Sequence, residues 1–451
     1  MGGLVQSVRP ATLAAPGPFR LLFAGQALSV VGDRITPVAI AFAVLGLGDA
    51  TDLGIVLAAG GIPFALFAIA GGVLADRVGR RRVMVASDIV RALSQALTAS
   101  LLLSGQAEVW MLVVLSAVYG TAAAVFMPAL MGLIPQTVPS ASLQQANALL
   151  GFTRSVATVA GPALAGIVIA LAGPGEAIAL DAATFVVSAL CLAALKPHAA
   201  RPGGEEDQRN RFMSRLRSGW REVRARPWLR YGLVAMAAYH VCVLPAVFVL
   251  GPALAEHELS GASSWAAIVT CFGLGTVIGN LLALHVRLRR PVLVAALALV
   301  GAGTQAAIIG SGVGTGGIAA LELVAGVAVS LFFTLWDTSI QEQVPAHAVS
   351  RVSSYDFAVS LGLMPIGMAL AGPAAETFGL HETLAGMSAL GVLAALLWLA
   401  APGVRGVRRA EPDAPVPAPP ASPVEPAVRE GAALAGVDGS RFAREASDLR
   451  T

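Results

Sequence analysis

Apolar residues along the chain come in long blocks, and charged residues, glycine and proline gather in the short gaps between them. Reading each block from gap to gap gives segments at 19–47, 52–75, 83–104, 109–133, 145–172, 176–195, 229–254, 263–285, 291–311, 315–336, 354–375 and 383–401. Each approaches or exceeds the ~20 residues that a helix needs to cross the hydrocarbon of a bilayer. Lipid offers no hydrogen-bond partner, so a single segment can cross it only as a helix that pairs its own backbone groups. The pattern therefore predicts an all-α integral membrane protein with about twelve transmembrane helices.

Composition supports this: 56% of the 451 residues are hydrophobic and 13% are charged, against about a quarter charged in soluble domains. The formal net charge of +3 could suggest a nucleic-acid partner. The charges are dispersed, however, and no basic patch is interleaved with aromatic residues, so no nucleic acid is expected. Membrane orientation accounts for them better. Arg9, Arg20, the arginines at 77–82, the basic residues of 196–230 and 287–290, Arg351 and the arginines after 401 all fall on one face. The loops of the other face carry Asp49, Glu108, Glu256 and Glu376 and no arginine or lysine. By the positive-inside rule both termini are expected in the cytoplasm. Residues 1–18 lack the layout of a cleaved signal peptide, so the first helix is expected to be retained. Cys191, Cys242 and Cys271 lie inside apolar blocks without metal-ligand spacing, which predicts buried thiols and neither a metal nor a disulfide framework.

An internal repeat divides the chain. Ile134-Pro-Gln-Thr-Val-Pro139 after the fourth block recurs as Ile340-Gln-Glu-Gln-Val-Pro345 after the tenth, and the stretch from Gly71 to Val83 aligns with Gly279 to Pro291. Two pseudo-symmetric six-helix bundles in one orientation follow, with the substrate path between them. The expected layout is a cytoplasmic N-terminus at 1–18, bundles at 19–195 and 229–401, a cytoplasmic linker at 196–228 and a disordered cytoplasmic tail at 402–451. Phe212, Leu216, Trp220 and Val223 form one stripe among arginines, so the linker is expected to hold an amphipathic helix against anionic inner-leaflet headgroups. The tail is too rich in proline and too poor in large apolar groups to fold.

Between the second and third blocks stands Gly71-Gly72-Val73-Leu74-Ala75-Asp76-Arg77-Val78-Gly79-Arg80-Arg81-Arg82. Gly79 can supply the φ > 0 that a tight reversal needs. Asp76 ends its helix where the macrodipole disfavours a negative charge, so a nearby arginine or another helix N-terminus is expected as its partner. Gly72, Leu74, Asp76, Arg77, Gly79, Arg80 and Arg81 closely resemble the signature between helices 2 and 3 of the major facilitator superfamily of secondary transporters. Gly161-Pro162-Ala163-Leu164-Ala165-Gly166 resembles, more loosely, the helix-5 signature of that superfamily's proton-driven exporters. Further segments, such as Leu180-Asp-Ala-Ala-Thr-Phe185, are similar to the bacterial exporter branch that includes siderophore and macrolide efflux proteins.

Charges inside the blocks are costly, about 2.5–3.5 kcal/mol each on insertion scales, so each is a functional hypothesis. Those well inside the blocks, away from their ends, are Asp33, Arg34, Asp88, Arg91, Arg154, Asp181 and Glu322. Three arginines against four acids could leave every cation neutralised and one carboxylate free to exchange protons. Asp33, on a face with Gln26 and Pro37, is the first candidate for proton coupling, and Glu322, without a basic neighbour in sequence, is the second. Arg34, Asp88, Arg91, Arg154 and Asp181 are expected to form an intramembrane charge network, with Asp88 pairing to Arg91 one turn away and Asp181 bonding between helices. Gln26, Met111, Tyr119, Phe126, Met127, His240, Phe332 and Trp336 are candidates for lining a substrate cavity.

No nucleotide loop, nucleophile constellation or metal cluster appears, so neither an enzyme nor a cofactor is expected. The resemblance implies proton-coupled efflux of small amphipathic organic compounds, such as drugs, antibiotics or siderophores, across the bacterial plasma membrane. Substrate, protons and lipid are the expected partners, and a monomer is the expected unit. The alternatives are a proton-coupled uptake symporter and a transport-inactive receptor or scaffold of the same fold.

Overall fold

The computed structural model describes residues 17–139, 142–196, 219–285 and 288–408. Among these the first half folds as α1 (Gly17–Leu45), α2 (Ala50–Val78), α3 (Arg80–Leu103), α4 (Val109–Leu133), α5 (Leu143–Leu171) and α6 (Pro174–Ala194). The second half folds as α7 (Pro227–Glu258), α8 (Gly261–His285), α9 (Pro291–Ile309), α10 (Gly314–Gln343), α11 (Ala346–Phe378) and α12 (Leu380–Ala400). All these helices belong to one compact unit that ends at Arg409. Eleven of them are long and apolar enough to cross a membrane. The exception, α3, carries Arg80, Arg81, Arg82, Asp88 and Arg91, and it is still packed against α4 and α6.

Local chemistry sets several helix ends. Asp49 caps α2 in a reciprocal box with Asp52, with bonds of 3.0 and 3.3 Å, which satisfies donors that an uncapped helix leaves free. Proline opens α6, α7 and α9, where its missing N–H has no cost. α10 and α11 run well past the apolar blocks at 315–336 and 354–375. Hydropathy marks where a helix leaves lipid, whereas a helix keeps pairing its own backbone beyond that point. α7 contains two π-helical turns, Tyr239–Val243 and Ala246–Leu250, on either side of Pro245. Proline removes one backbone donor and displaces the carbonyl a turn before it, which is a recognised cause of such bulges.

The helix pairs repeat. In the first half α2 packs on α4, α3 on α4 and α6, and α1 on α5 and α6; the second half pairs α8 with α10, α9 with α10 and α12, and α7 with α11 and α12. The recurring segments also agree, since Ile134 and Val138 are buried at the base of the first half as Ile340 and Val344 are in the second.

Three apolar cores fill this frame, and their distribution decides its shape. At the end holding the α1–α2 turn, one core joins both halves through Ile35, Val38, Leu53, Val249, Leu254, Trp265 and Met368. At the end holding the Asp76–Arg82 turn there are two cores. One belongs to the first half, around Phe19, Met84 and Leu133, and the other to the second, around Trp228, Trp336 and Trp398. The halves are thus sealed at one end and separate at the other.

Small residues make the seal. A Cβ on Gly54 of α2 would strike the Met368 carbonyl of α11, one on Gly372 would strike Thr51, and one on Gly273 of α8 would lie 2.6 Å from the Thr158 carbonyl of α5. Backbones can meet at these points only because no side chain intervenes. Thr51 also donates a short hydrogen bond to Glu376 across the same seam.

The N-terminal segment, most of the linker and the tail beyond 408 lie outside the described residues, as do Phe212 and Leu216. In the described part of the linker Val223 is buried in the second-half core and Trp220 packs on Tyr355 with ring centroids 5.7 Å apart. The expected apolar stripe therefore rests partly on protein and not only on lipid.

Candidate transport site

In the first half the site is built on α3, whose Asp88, Arg91 and Gln95 fall on one helical stripe and are all buried. Arg91 forms a close ion pair with Asp88, and its Nη1 lies 3.7 Å from Asp33 Oδ1. Its guanidinium also sits between the rings of Phe126 and Phe185, 4.2 and 4.3 Å from their centroids. Two carboxylates and two π faces therefore compensate one buried cation. Asp33 accepts a hydrogen bond of 2.9 Å from the Tyr119 hydroxyl, and its side chain remains 35% exposed while that of Asp88 is fully buried. Asp33 is the carboxylate of this group that solvent can reach.

Asp181 of α6 stands beside this network. It accepts hydrogen bonds from Thr36 at 2.6 Å and from Gln95 at 2.7 Å. A Cβ at Gly32 would collide with Asp181 Oδ1, so the glycine lets α1 approach α6 at this level.

The second half contains a leaner arrangement. Glu322 of α10 is 2% exposed, and its Oε2 accepts a bond of 2.9 Å from Gln305 Nε2. Gln305 Oε1 in turn accepts a bond of 2.7 Å from the Tyr239 hydroxyl, at the first π turn of α7. Glu322 Oε1 has no hydrogen-bond partner among the described residues. A hydrogen-bonded file thus ends in an oxygen with an open position.

The structure divides the expected charge network. It joins Asp33, Asp88 and Arg91, and it puts Asp181 with Thr36 and Gln95. Arg34 and Arg154 have no hydrogen-bond or ion-pair partner for their side chains among the described residues, so the expected neutralisation of every arginine does not occur there. The arithmetic of charges missed that Arg91 alone engages two acids.

The cavity candidates divide as well. Phe126 is buried under Arg91, and Phe332 and Trp336 are buried in an aromatic cluster with Trp398, their rings 5.5–6.3 Å apart. His240 is buried with Nδ1 2.9 Å from the Met236 carbonyl, and its ring faces Tyr239 and Phe333. These four pack the halves and do not line the cleft in this conformation. Met111 belongs to the first turn of α4, far from mid-span. Gln26 is buried with Nε2 unpartnered among the described residues, Tyr119 is half-buried beside Asp33, and Met127 is 38% exposed. Gln305 and Thr36 were not singled out from sequence. Lone amides in apolar blocks were the available signal.

At the open end Gly79 has φ +100° and turns α2 directly into α3. Asp76 pairs with Arg80 at 3.1 Å, which supplies the expected arginine. Arg80 also donates to the Gly132 carbonyl at 2.5 Å, in space that a Cβ at Gly132 would occupy. Arg81 donates to the carbonyls of Leu192, at 2.8 Å, and Ala193, and so caps the C-terminus of α6. These bonds tie α2, α3, α4 and α6 of one half together. Asp76 remains 64% exposed, so the pair has the ~0.3–0.5 kcal/mol typical of a solvated i,i+4 contact. Leu74 and Arg77 are exposed, whereas Gly161, Pro162 and Gly166 are buried in α5.

The family model described as transmembrane secretion effector matches residues 11–434. The multidrug efflux pump Tap of Mycolicibacterium fortuitum is 27% identical over 399 residues, covering 84% of this chain and 96% of that protein. Macrolide efflux protein A of Streptococcus pyogenes is 23% identical, covering 81% and 91%. Among solved structures, a bacterial homologue of the human lysosomal transporter Spinster, inward-facing and unoccupied, superposes with TM-score 0.65 at 16% identity, covering 90% of this chain and 99% of that one. The nucleoside transporter NupG gives 0.62 at 14% identity, covering 85% and 98%. At these identities the structural likeness concerns the fold.

Proposed function

The chain belongs to the transmembrane secretion effector family, exporter-type transporters of the major facilitator superfamily, and on that premise we propose that it exports small amphipathic organic compounds from the bacterial cytoplasm in exchange for protons. It is a multi-pass membrane protein. In this reading both termini and the Asp76–Arg82 turn face the cytoplasm, so the open cleft faces inward.

The observation that carries the reading is the distribution of cores: one shared core at the sealed end and two separate cores at the open end. Two rigid halves with a separable seam can rock about a central site, which is how a repeat-built transporter alternates access. The relatives' names, multidrug and macrolide efflux pumps, favour outward transport of bulky organic molecules.

Asp33 is the proposed proton carrier because it is the acid of the Arg91 group that remains partly exposed. Protonated, it releases Arg91 to Asp88 alone. Deprotonated, it competes for Arg91 and draws α1 toward α3. Coupling requires that the proton bind the two access states unequally, and this exchange of partners provides the inequality. Glu322, with its open Oε1, is the alternative carrier.

Everted membrane vesicles test the reading with a panel of amphipathic compounds of both charges, among them cationic ethidium and anionic dansylglycine. Accumulation inside that is abolished by a protonophore is expected. Accumulation that survives collapse of the gradient contradicts proton coupling, and movement only out of everted vesicles contradicts export.

A further inference from the structure

Arg34 and Arg154 are the two intramembrane cations that the charge network leaves over. On α1 the exposed positions form one stripe, Arg20, Ala24, Leu28 and Arg34, with Val31 half-buried between them. Beyond Arg34 the helix is closed over, with Val38 to Val44 all buried in the shared core. α1 packs on α5 and α6 of its own half and, at the sealed end, on α7 and α8 of the other. The stripe therefore faces the cleft, and Arg34 stands at its blind end.

α5 has two opposite exposed faces. Phe152, Val156, Leu164, Ile167 and Leu171 form an apolar face suited to lipid, while Gln144, Asn147, Gly151 and Arg154 recur at helical spacing on the other side. A Cβ on Gly161 would run into the Cβ of Arg34, so Arg34 is level with Gly161. Arg154, seven residues earlier on α5, is about 10 Å nearer the mouth at 1.5 Å per residue. Across the seam, α8 (Gly261–His285) contributes no aspartate or glutamate. Asp33 is adjacent in sequence but is engaged by Tyr119 and Arg91.

From this geometry we propose that Arg34 and Arg154 are two stations of an anion-binding subsite, and that the substrates are amphipathic organic anions whose carboxylate or sulfonate is received at Arg154 and held at Arg34. Ala24, Leu28 and Val31 offer the apolar wall for the rest of the molecule. A guanidinium suits such groups because its planar fork can give two parallel bonds to one carboxylate or sulfonate. An unpaired arginine in a membrane bundle is otherwise costly. The inference rests on the export reading and names the substrate class of its cleft.

The test uses purified full-length protein in lipid nanodiscs, with empty nanodiscs as blank, and two fluorescent probes that share one ring system: anionic dansylglycine and cationic dansylcadaverine. The wild type is expected to bind the anion at least tenfold more tightly than the cation. Arg34→Gln is expected to remove that preference, Arg34→Lys to keep part of it, and Arg154→Gln to weaken anion binding a few fold. Retained dansylcadaverine binding shows that a variant is folded, and Arg34→Lys against wild type decides the matter where Arg34→Gln does not fold. Equal affinity of wild type for both probes, or an anion preference unchanged in Arg34→Gln and Arg154→Gln, overturns the proposal. The same probes in everted vesicles separate the two readings: transport of both with no dependence on Arg34 overturns the anion subsite alone, and transport of neither overturns the export reading while the binding result stands.

Discussion

The two halves share a scaffold and differ in what they bury. The first half encloses Asp88, Asp181 and Arg91 and holds them with Gln95, Thr36, Tyr119 and Asp33. Among the described residues the second buries one carboxylate, Glu322, reached through Gln305 and Tyr239, and it fills its open end with Trp228, Phe332, Trp336 and Trp398. Repetition has thus kept helix pairing while releasing side-chain chemistry. Pairing needs only small residues at crossings, whereas a buried ion pair needs every partner in place, since one charge left alone costs more than the pair contributes. A half that moves as a body can carry an ion cluster internally, and the other can be a largely apolar counterweight.

The largest expected effect tests that contrast. Asp88→Asn leaves Arg91 buried with only the more distant Asp33, and the loss is expected to be about 3–5 kcal/mol, as for breaking a buried pair. Glu322→Gln removes no arginine's partner and keeps a hydrogen bond to Gln305, so it should cost under about 1.5 kcal/mol, the net worth of one hydrogen bond. Thermal melts of the purified variants check both. Equal destabilisation would mean that the halves are not built differently.

Asp33→Asn is expected to fold with a wild-type melting profile, because Asp33 is the partly exposed acid, and to lose gradient-driven export while keeping substrate binding. Export by this variant at the wild-type rate, together with failure of Glu322→Gln, would move the proton to the second half. Gly54→Val sharpens the comparison at the seam. The added side chain meets the Met368 carbonyl, so labelling of single cysteines is expected to show the sealed end opened, with α2 and α11 otherwise intact.

The smallest effect on stability is expected from Asp76→Asn, whose exposed pair with Arg80 has a few tenths of a kcal/mol. Its turnover should nevertheless slow, with substrate binding changed within a few fold, if Asp76 gains a partner from the other half when the cleft closes. Unchanged transport at normal expression removes that role.

The contrast also explains what the sequence made legible. Spans, the repeat and the turn at Gly79 could be read because membrane thickness, small-residue crossings and φ > 0 each impose a local requirement on residue type. Asp88 and Arg91 could be paired because they share a helix. The partners of Asp181 come from Thr36 on α1 and Gln95 on α3, and that of Glu322, Gln305, from α9, and no local spacing encodes which helix faces which. For the same reason Trp336 and Phe332 read equally well as cavity lining or as core; only the three-dimensional position of Trp398 decides. Arg34 and Arg154 stood out as charges, but their lack of partners emerged only once Arg91 had taken two.

The most direct measurement is of the two ends at once. Spin labels at Leu47 and Phe378 span the sealed end, and labels at Val78 and Leu284 the open end, all at exposed positions. In lipid nanodiscs at low pH the first pair is expected to be close and the second far apart. Raising the pH should lengthen the first distance and shorten the second together, because loss of the coupling proton changes which acids hold Arg91. In Asp33→Asn both distances should stay at their low-pH values throughout. Distances that do not move reciprocally, or an Asp33→Asn variant that responds to pH as the wild type does, would contradict proton-driven alternation between these two halves.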